Sequence, residues 1–255
     1  MLTKFTTLAA TALAVVTVTT TAFAAEAPRP PAQEWGFSGL FGTFDRGAQQ
    51  RGFQVFQQAC QSCHALEFIH FRNLTGIGLS PEEVEAIAEG YQVEDGPDDL
   101  GDMFMRAARP ADRIPPPFPN EQAARAANNG AYPPELSLMT RARFFGHDYV
   151  YALLTGYRDE PPEDVELMPG MYFNEWFPGQ QIAMAPPLFE GAITYEDGSP
   201  ETVEQYARDL VTFLAWTAEP ELEERNRLGV KVVLFVIVLT GLLFALKKKI
   251  WSDVH

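Results

Sequence analysis

The sequence predicts a mainly α-helical fold: one medium-sized domain with long irregular loops, carried on a single C-terminal transmembrane helix. Three observations predict it. Capping signatures followed by apolar stripes mark helices at several points along the 255 residues. Twenty prolines and 19 glycines, many of them between those helices, mark irregular connections. Hydrophobic residues make up an ordinary 46% of the chain but concentrate at its two ends, and the last run is nearly unbroken.

Residues 1–24 read as a secretory signal peptide. Lys4 is the only charge before the apolar run Leu8 to Val18, and Ala22-Phe23-Ala24 supplies a small-x-small cleavage pattern. Residues 25–220 then form an exported domain, and a bacterial periplasm fits. Within it, Ala25 to Ala32 is a proline-rich lead-in and Trp35 to Phe44 an aromatic, glycine-rich surface arm. A helix over Arg46 to Gln58 carries Gly52, Phe53 and Phe56, a face suited to close crossing by another helix. Ser80-Pro81-Glu82-Glu83 opens the next, with Ser80 and Glu83 as a capping box and Val84, Ile87, Ala88 and Tyr91 as the buried stripe.

The acidic segment Glu94 to Asp102 follows. Asn120 caps a short helix from Glu121 to Asn128, and a further helix leads from His147-Asp148-Tyr149 to near Gly156. After a second acidic loop, Glu160 to Glu166, the stretch Met171 to Leu188 is aromatic, broken by Pro and Gly, and without period. Such a loop can hold one side chain at a fixed point. Thr202 to Trp216 is an amphipathic helix with Thr202 and Gln205 as a capping box. Its Val203, Tyr206, Leu210 and Phe213 are the expected partners of Phe53 and Phe56.

Residues 221–255 comprise a charged linker (Glu221 to Arg227), the span over about 228–246, and a short tail. Roughly nineteen residues at about 1.5 Å each reach about 28 Å, one hydrocarbon thickness. Lys231 can snorkel to the interface. Lys247-Lys248-Lys249 put the C-terminus in the cytoplasm by the positive-inside rule, which agrees with an exported domain.

Chemistry centres on Cys60-Gln61-Ser62-Cys63-His64, the C-x-x-C-H attachment signal of a c-type haem. Two thiols three residues apart lie on one face of a helix or turn and can each add to a vinyl group of one porphyrin. His64 follows at once and can bind iron as the proximal ligand. The motif uses the only two cysteines, which leaves none for a structural disulfide. A zinc site would need a second Cys or His pair nearby, and a thioredoxin-like pair an early strand–helix context. The sequence around Cys60 supplies neither. A sixth iron ligand could come from His70, His147, His255 or one of seven methionines. His255 lies across the membrane, His70 is close to His64, and Met103, Met105, Met139, Met168 and Met171 each read equally as core filler. Met184 stands out modestly, because Pro186-Pro187 stiffens its loop. A His/Met pair raises the reduction potential and closes the iron to substrates, which favours electron transfer.

With 34 acidic against 19 basic residues the net charge is -15. That disfavours nucleic acid and favours a basic partner, steered from a distance. The acidic segments are candidate docking surfaces for it, with plain solvation of a helix and a turn as the equal alternative.

Ordered blocks of sequence carry a resemblance beyond the haem motif. They are Arg51-Gly52-Phe53-Gln54-Val55-Phe56, Phe71-Arg72-Asn73-Leu74, Ala123 to Gly130, and Pro133-Pro134-Glu135-Leu136-Ser137. Arg141-Ala142-Arg143, Leu153-Leu154-Thr155-Gly156-Tyr157, Tyr172-Phe173-Asn174 and Met184-Ala185-Pro186-Pro187 complete the set. With these the chain resembles the cytochrome c1 family, the haem subunits of cytochrome bc1 complexes, in an alphaproteobacterial form. The resemblance covers nearly the whole chain after the signal peptide. It implies a c-type cytochrome domain with one covalent haem c, Met184 as the axial methionine, and Arg143 near a haem propionate. It also implies haem-pocket roles for Asn128, Pro133, Tyr149 and Leu153. The implied partners are cytochrome b, a Rieske iron–sulfur protein that donates electrons and a soluble cytochrome c that accepts them, in a dimeric, quinol-oxidising complex of the bacterial inner membrane. Two departures stand out. The extra cysteine pair that braces the methionine loop in some bacterial relatives is absent, so packing, prolines and Trp176 must hold it. Arg158 stands where mitochondrial relatives have Cys. Other functions compatible with the haem motif are a membrane-anchored monohaem donor to a terminal oxidase, a haem enzyme or gas sensor, and a non-haem thiol redox protein.

Overall fold

The computed structural model describes residues 28–163 and 165–253. The signal peptide and His255 lie outside the described residues. Among the described residues are seven α-helices and four short strands: α1 Arg46–Val55, α2 Pro81–Glu89, α3 Glu121–Ala127, α4 Met139–Ala142, α5 Gly146–Thr155, α6 Val203–Ala218 and α7 Leu222–Ile250, with β1 Gln92–Asp95, β2 Phe104–Ala107, β3 Tyr172–Phe173 and β4 Gln181–Ile182. Each pair of strands forms an antiparallel ladder. A π-helical turn, Phe56–Cys60, and a 3-10 helix, Phe71–Ile77, are also present and the rest is loop, so the expected mainly α class with long irregular connections is what forms.

The α1–α6 crossing is the centre of the domain. A Cβ added at Gly52 would overlap the Asp209 carbonyl oxygen and come within 2.7 Å of the Phe213 Cβ, so only glycine lets the backbones meet. Phe213 then sits 5.5 Å from Phe53 and 6.1 Å from Phe56, ring centre to ring centre. Arg51 closes the crossing with a two-pronged pair, Nε to Asp209 Oδ2 at 2.8 Å and Nη2 to Oδ1 at 3.0 Å, and reaches Asp197 at 2.7 Å. Asp209 is buried, so this charge pair has left water and depends on its hydrogen bonds.

The caps form as the residues dictate. Asp45 accepts from Ala48 N–H, Asn120 from Ala123 N–H, and Ser80 and Glu83 complete their reciprocal box. At α6 only half of the expected box forms: Thr202 accepts from Gln205 N–H, but the Gln205 side chain turns to Asp209 instead.

Several expectations change. The first helix does not stop at Gln58 but widens into a π-helical turn, Phe56–Cys60, that delivers Cys60. Helix α6 is buried nearly all round from Tyr206 onward, because α1, α4 and α5 pack on different faces of it. The surface arm is docked at both ends: Phe37 and Phe44 are buried and only the tip between them is exposed. The acidic segment after α2 folds into the β1–β2 hairpin, and the aperiodic stretch before Met184 contains the β3–β4 ladder. Met103, Met105 and Met168 are exposed rather than core filler. The expected linker at Glu221 to Arg227 is the opening of α7 itself, so domain and anchor are joined by continuous helix. That helix is long and apolar enough to cross a membrane, and its apolar side chains from Val232 onward are exposed.

Candidate haem site

The end of α1 presents the motif. After the π turn the backbone tightens, with Cys63 N–H and His64 N–H both donating to the Cys60 carbonyl at 3.1 and 2.9 Å. Both cysteines are free thiols. Cys60 is part of the core, and burial pushes its thiol up to about 12, with Cys63 adding to the effect. His64 is half-buried, and its Nδ1 lies 2.8 Å from the Pro134 carbonyl oxygen. A carbonyl can only accept, so Nδ1 must donate. In the neutral ring that leaves Nε2 with its lone pair, the tautomer an iron ligand needs. Burial lowers the His64 pKa and favours that neutral ring, while the Pro134 hydrogen bond opposes it.

The loop carrying Pro134 is pinned on both sides. Leu136 N–H donates to the Ala65 carbonyl at 2.9 Å, and Thr217 Oγ1 donates to the Ser137 carbonyl at 3.0 Å. Asn128 starts this loop: its side chain donates to the Ala124 carbonyl at 2.7 Å, and its own carbonyl accepts from Ala131 N–H at 2.9 Å. Pro133 is half-buried beside the histidine's acceptor.

Met184 is held on a separate loop. Its carbonyl accepts from the Tyr157 hydroxyl at 3.1 Å. Asn174, fully buried, donates to the Leu153 carbonyl at 2.7 Å and accepts from Trp176 and Phe177 N–H at 3.1 and 3.2 Å. This ties the loop to the end of α5. A Cβ at Gly156 would overlap the Trp176 ring, so the glycine is the seat for that indole. Trp176 does brace the loop, but Tyr157 and Asn174 carry its polar attachments. Tyr149 is buried one face away; burial raises its pKa while the Arg143 charge lowers it, and Tyr149 in turn adds to the rise that burial imposes on Tyr157. Arg143 itself is exposed.

Among the expected residues, Pro133 adjoins the carbonyl that His64 donates to and Asn128 opens the same loop, while Leu153 is bonded through Asn174 to the loop that carries Met184, and Tyr149 lies near Arg143 and Tyr157. Cys60, Leu136 and Tyr149 belong to one apolar core, with Leu153 packed against it. Sequence reasoning did not single out Pro134, Tyr157 and Asn174, although all three stand in the blocks that carry the resemblance. A polar residue after an aromatic pair was the available signal for Asn174, since an Asx side chain can replace backbone partners at a turn.

The donors fit haem iron: an imidazole with Nε2 free, a soft half-buried thioether, and two free thiols on one turn. Among the described residues no group of three or more His, Cys, Asp or Glu converges as a metal cage. His147 is engaged elsewhere, its ring 4.9 Å from Phe37 and 6.1 Å from Trp35.

Fold and donors together point to a class, an electron-transfer protein of the c-type cytochrome kind with one C-terminal helix long and apolar enough to cross a membrane. Within it, a model described as the Cytochrome C1 family matches residues 35–254. The chain is 50% identical over 248 residues to a protein named Cytochrome b/c1 of Bradyrhizobium diazoefficiens, an alignment covering 89% of this chain and 36% of that one. It is 46% identical over 237 residues to Cytochrome c1 of Rhodospirillum rubrum, covering 87% of each. It is 46% identical over 225 residues to a Cytochrome b-c1 complex catalytic subunit, mitochondrial, of Candida albicans, covering 88% of this chain and 78% of that one. The chain belongs to the cytochrome c1 family. Its role is electron transport, and the family implies a c-type haem.

Proposed function

We propose that this chain is the haem subunit of a quinol–cytochrome c reductase. It accepts electrons from a Rieske iron–sulfur protein and offers them to a soluble cytochrome c, while cytochrome b and the dimeric complex surround its anchor. The observation that carries this reading is the single match over residues 35–254, which runs through tether, methionine loop and anchor alike. One haem c, when bound, supplies a one-electron iron couple. Cys60 and Cys63 would hold it through their sulfurs, and His64 and Met184 would supply donors to its iron. Pro134 orients the imidazole, Tyr157 and Asn174 set the methionine loop, and Asn128, Pro133, Tyr149 and Leu153 shield the site from water. Arg143 supplies a cation for a haem carboxylate. The chain itself turns over no substrate.

The domain lies in the periplasm of a bacterium, anchored once in the inner membrane, with the lysine-flanked end of α7 cytoplasmic. Exposed acids at Glu94 to Asp102 and at Glu160, Glu163 and Glu166 attract the basic acceptor. Two of the first set also have local work: Asp95 pairs with Arg106, and Asp98 closes its own turn. Neutralising the others should slow the second-order rate with the acceptor, most at low salt.

Gentle solubilisation of the membranes tests the reading. A cytochrome b and a Rieske protein should co-purify with this chain, and their absence would sink it.

A further inference from the structure

The loop from Gly36 to Thr43 ends in an apolar tip that faces no other part of the domain: Leu40 is 59% and Phe41 80% exposed. Its position is nevertheless fixed. Phe37 and Phe44, buried at its two ends, pack ring on ring at 5.1 Å, and Thr43 N–H donates to the Gly36 carbonyl at 3.0 Å. Three bonds fasten the segment to α7. Glu223 accepts from Phe44 N–H at 2.8 Å and pairs with Arg46 at 3.1 Å, and Asn226 donates to the Gly39 carbonyl at 3.2 Å. The tip therefore stands beside Val230 and Lys231, with a shallow cleft of about 310 Å³ between them.

Depth follows from α7. The apolar run of roughly nineteen residues is only about as long as a hydrocarbon core is thick, and Lys247 to Lys249 mark its far edge. Leu228 to Lys231 then stand at the near edge, and Leu40 and Phe41 stand at the same level. Arg227 and Lys231, which line the same cleft, are cations at the height of the lipid phosphates.

We propose that the Leu40–Phe41 tip is a second membrane contact, inserted at the headgroup–acyl boundary of the outer leaflet and occupied by phospholipid. Leu40 and Phe41 share a cleft with Val230 at the start of the span, so what covers the start of α7 covers the tip. The inference rests on reading α7 as a membrane span.

A diazirine-bearing phenylalanine analogue at position 41, in native membranes holding the intact complex, tests it. Illumination should give phospholipid adducts at 41, and the same probe at 40 should repeat them. At position 100, on the 87% exposed hairpin tip, the product should be that of water. Crosslinks from 41 and 40 to another protein subunit, or water products there, overturn the inference. Position 235 in α7 separates the two readings. Adducts to lipid or to a membrane-spanning subunit at 235 with water at 41 remove only the tip contact. Water at both removes the span as well.

Discussion

The two halves of the haem site are built differently. The tether half stands on regular structure: α1 crosses α6 at Gly52, the crossing is sealed by Arg51 and Asp209, and the helix runs straight into Cys60. The methionine half has almost no regular structure. A two-residue ladder, a tyrosine hydroxyl and one buried asparagine fix it. A side chain that must be attached can be carried by the core, whose stability is global. One proposed to meet a metal without a covalent link can be placed by a few directional bonds whose failure is local.

That contrast makes graded predictions. Gly52→Val should have the largest effect. It drives side-chain atoms into the Asp209 carbonyl and should cost about 3 kcal/mol or more, lowering the melting temperature of the domain by about 6–12 °C. A melting curve unchanged within about 2 °C would break the claim that the crossing is close-packed. Asp209→Ala should follow, at about 2–3 kcal/mol, because it leaves Arg51 half-desolvated without its main partner. Urea unfolding measures it.

Asn174→Ala belongs to the other half. It strands the Leu153 carbonyl and two backbone N–H groups, a local loss of about 2 kcal/mol. The melting temperature should move little, while the ferric methionine–iron charge-transfer band weakens and the reduction potential falls. A large melting shift with an intact band would invert the comparison. Tyr157→Phe removes one hydrogen bond, about 1 kcal/mol, and should weaken the same band less.

The smallest effect concerns pH and lies away from both halves. The hydrogen bond from Arg106 holds the Asp112 carboxyl down at about 2, against some opposition from burial. Its unfolded value is about 3.9, so the unfolded chain takes up the proton first as pH falls. The contribution is present above about pH 4 and is lost as pH drops towards 2. Asp112→Asn should therefore differ from the parent in urea midpoint at pH 6 and converge with it near pH 2. A constant difference across that range would refute the linkage.

Much of this was legible in the sequence because local chemistry and final packing agree. Ser80 with Glu83, Asn120 and the Gly52–Phe53–Phe56 face all do in the fold what their residue types favour. The C-x-x-C-H motif is local by nature, so it can be read from adjacent residues. Met184 cannot, because roughly 120 residues separate it from His64 and nothing periodic marks it. On the residues alone its proline-stiffened loop favoured it only modestly, and the family resemblance made it the implied ligand. Tyr157, Asn174 and the Pro134 carbonyl escaped for the same reason: their roles exist only once distant segments meet. The π turn, the half-formed box at Thr202 and the helical start of α7 were decided by tertiary packing, which overrides local preference.

The unbroken helix from Leu222 to Ile250 has a kinetic consequence. Glu223 and Asn226 clamp the start of α7 to the segment before α1, so among the described residues the domain meets this helix without a loop of its own in between. On the proposed function, the members of the relay that travel would be the partners. A fixed terminal searches less space but presents one unchanging face, so the orientational share of each encounter falls to the visiting proteins.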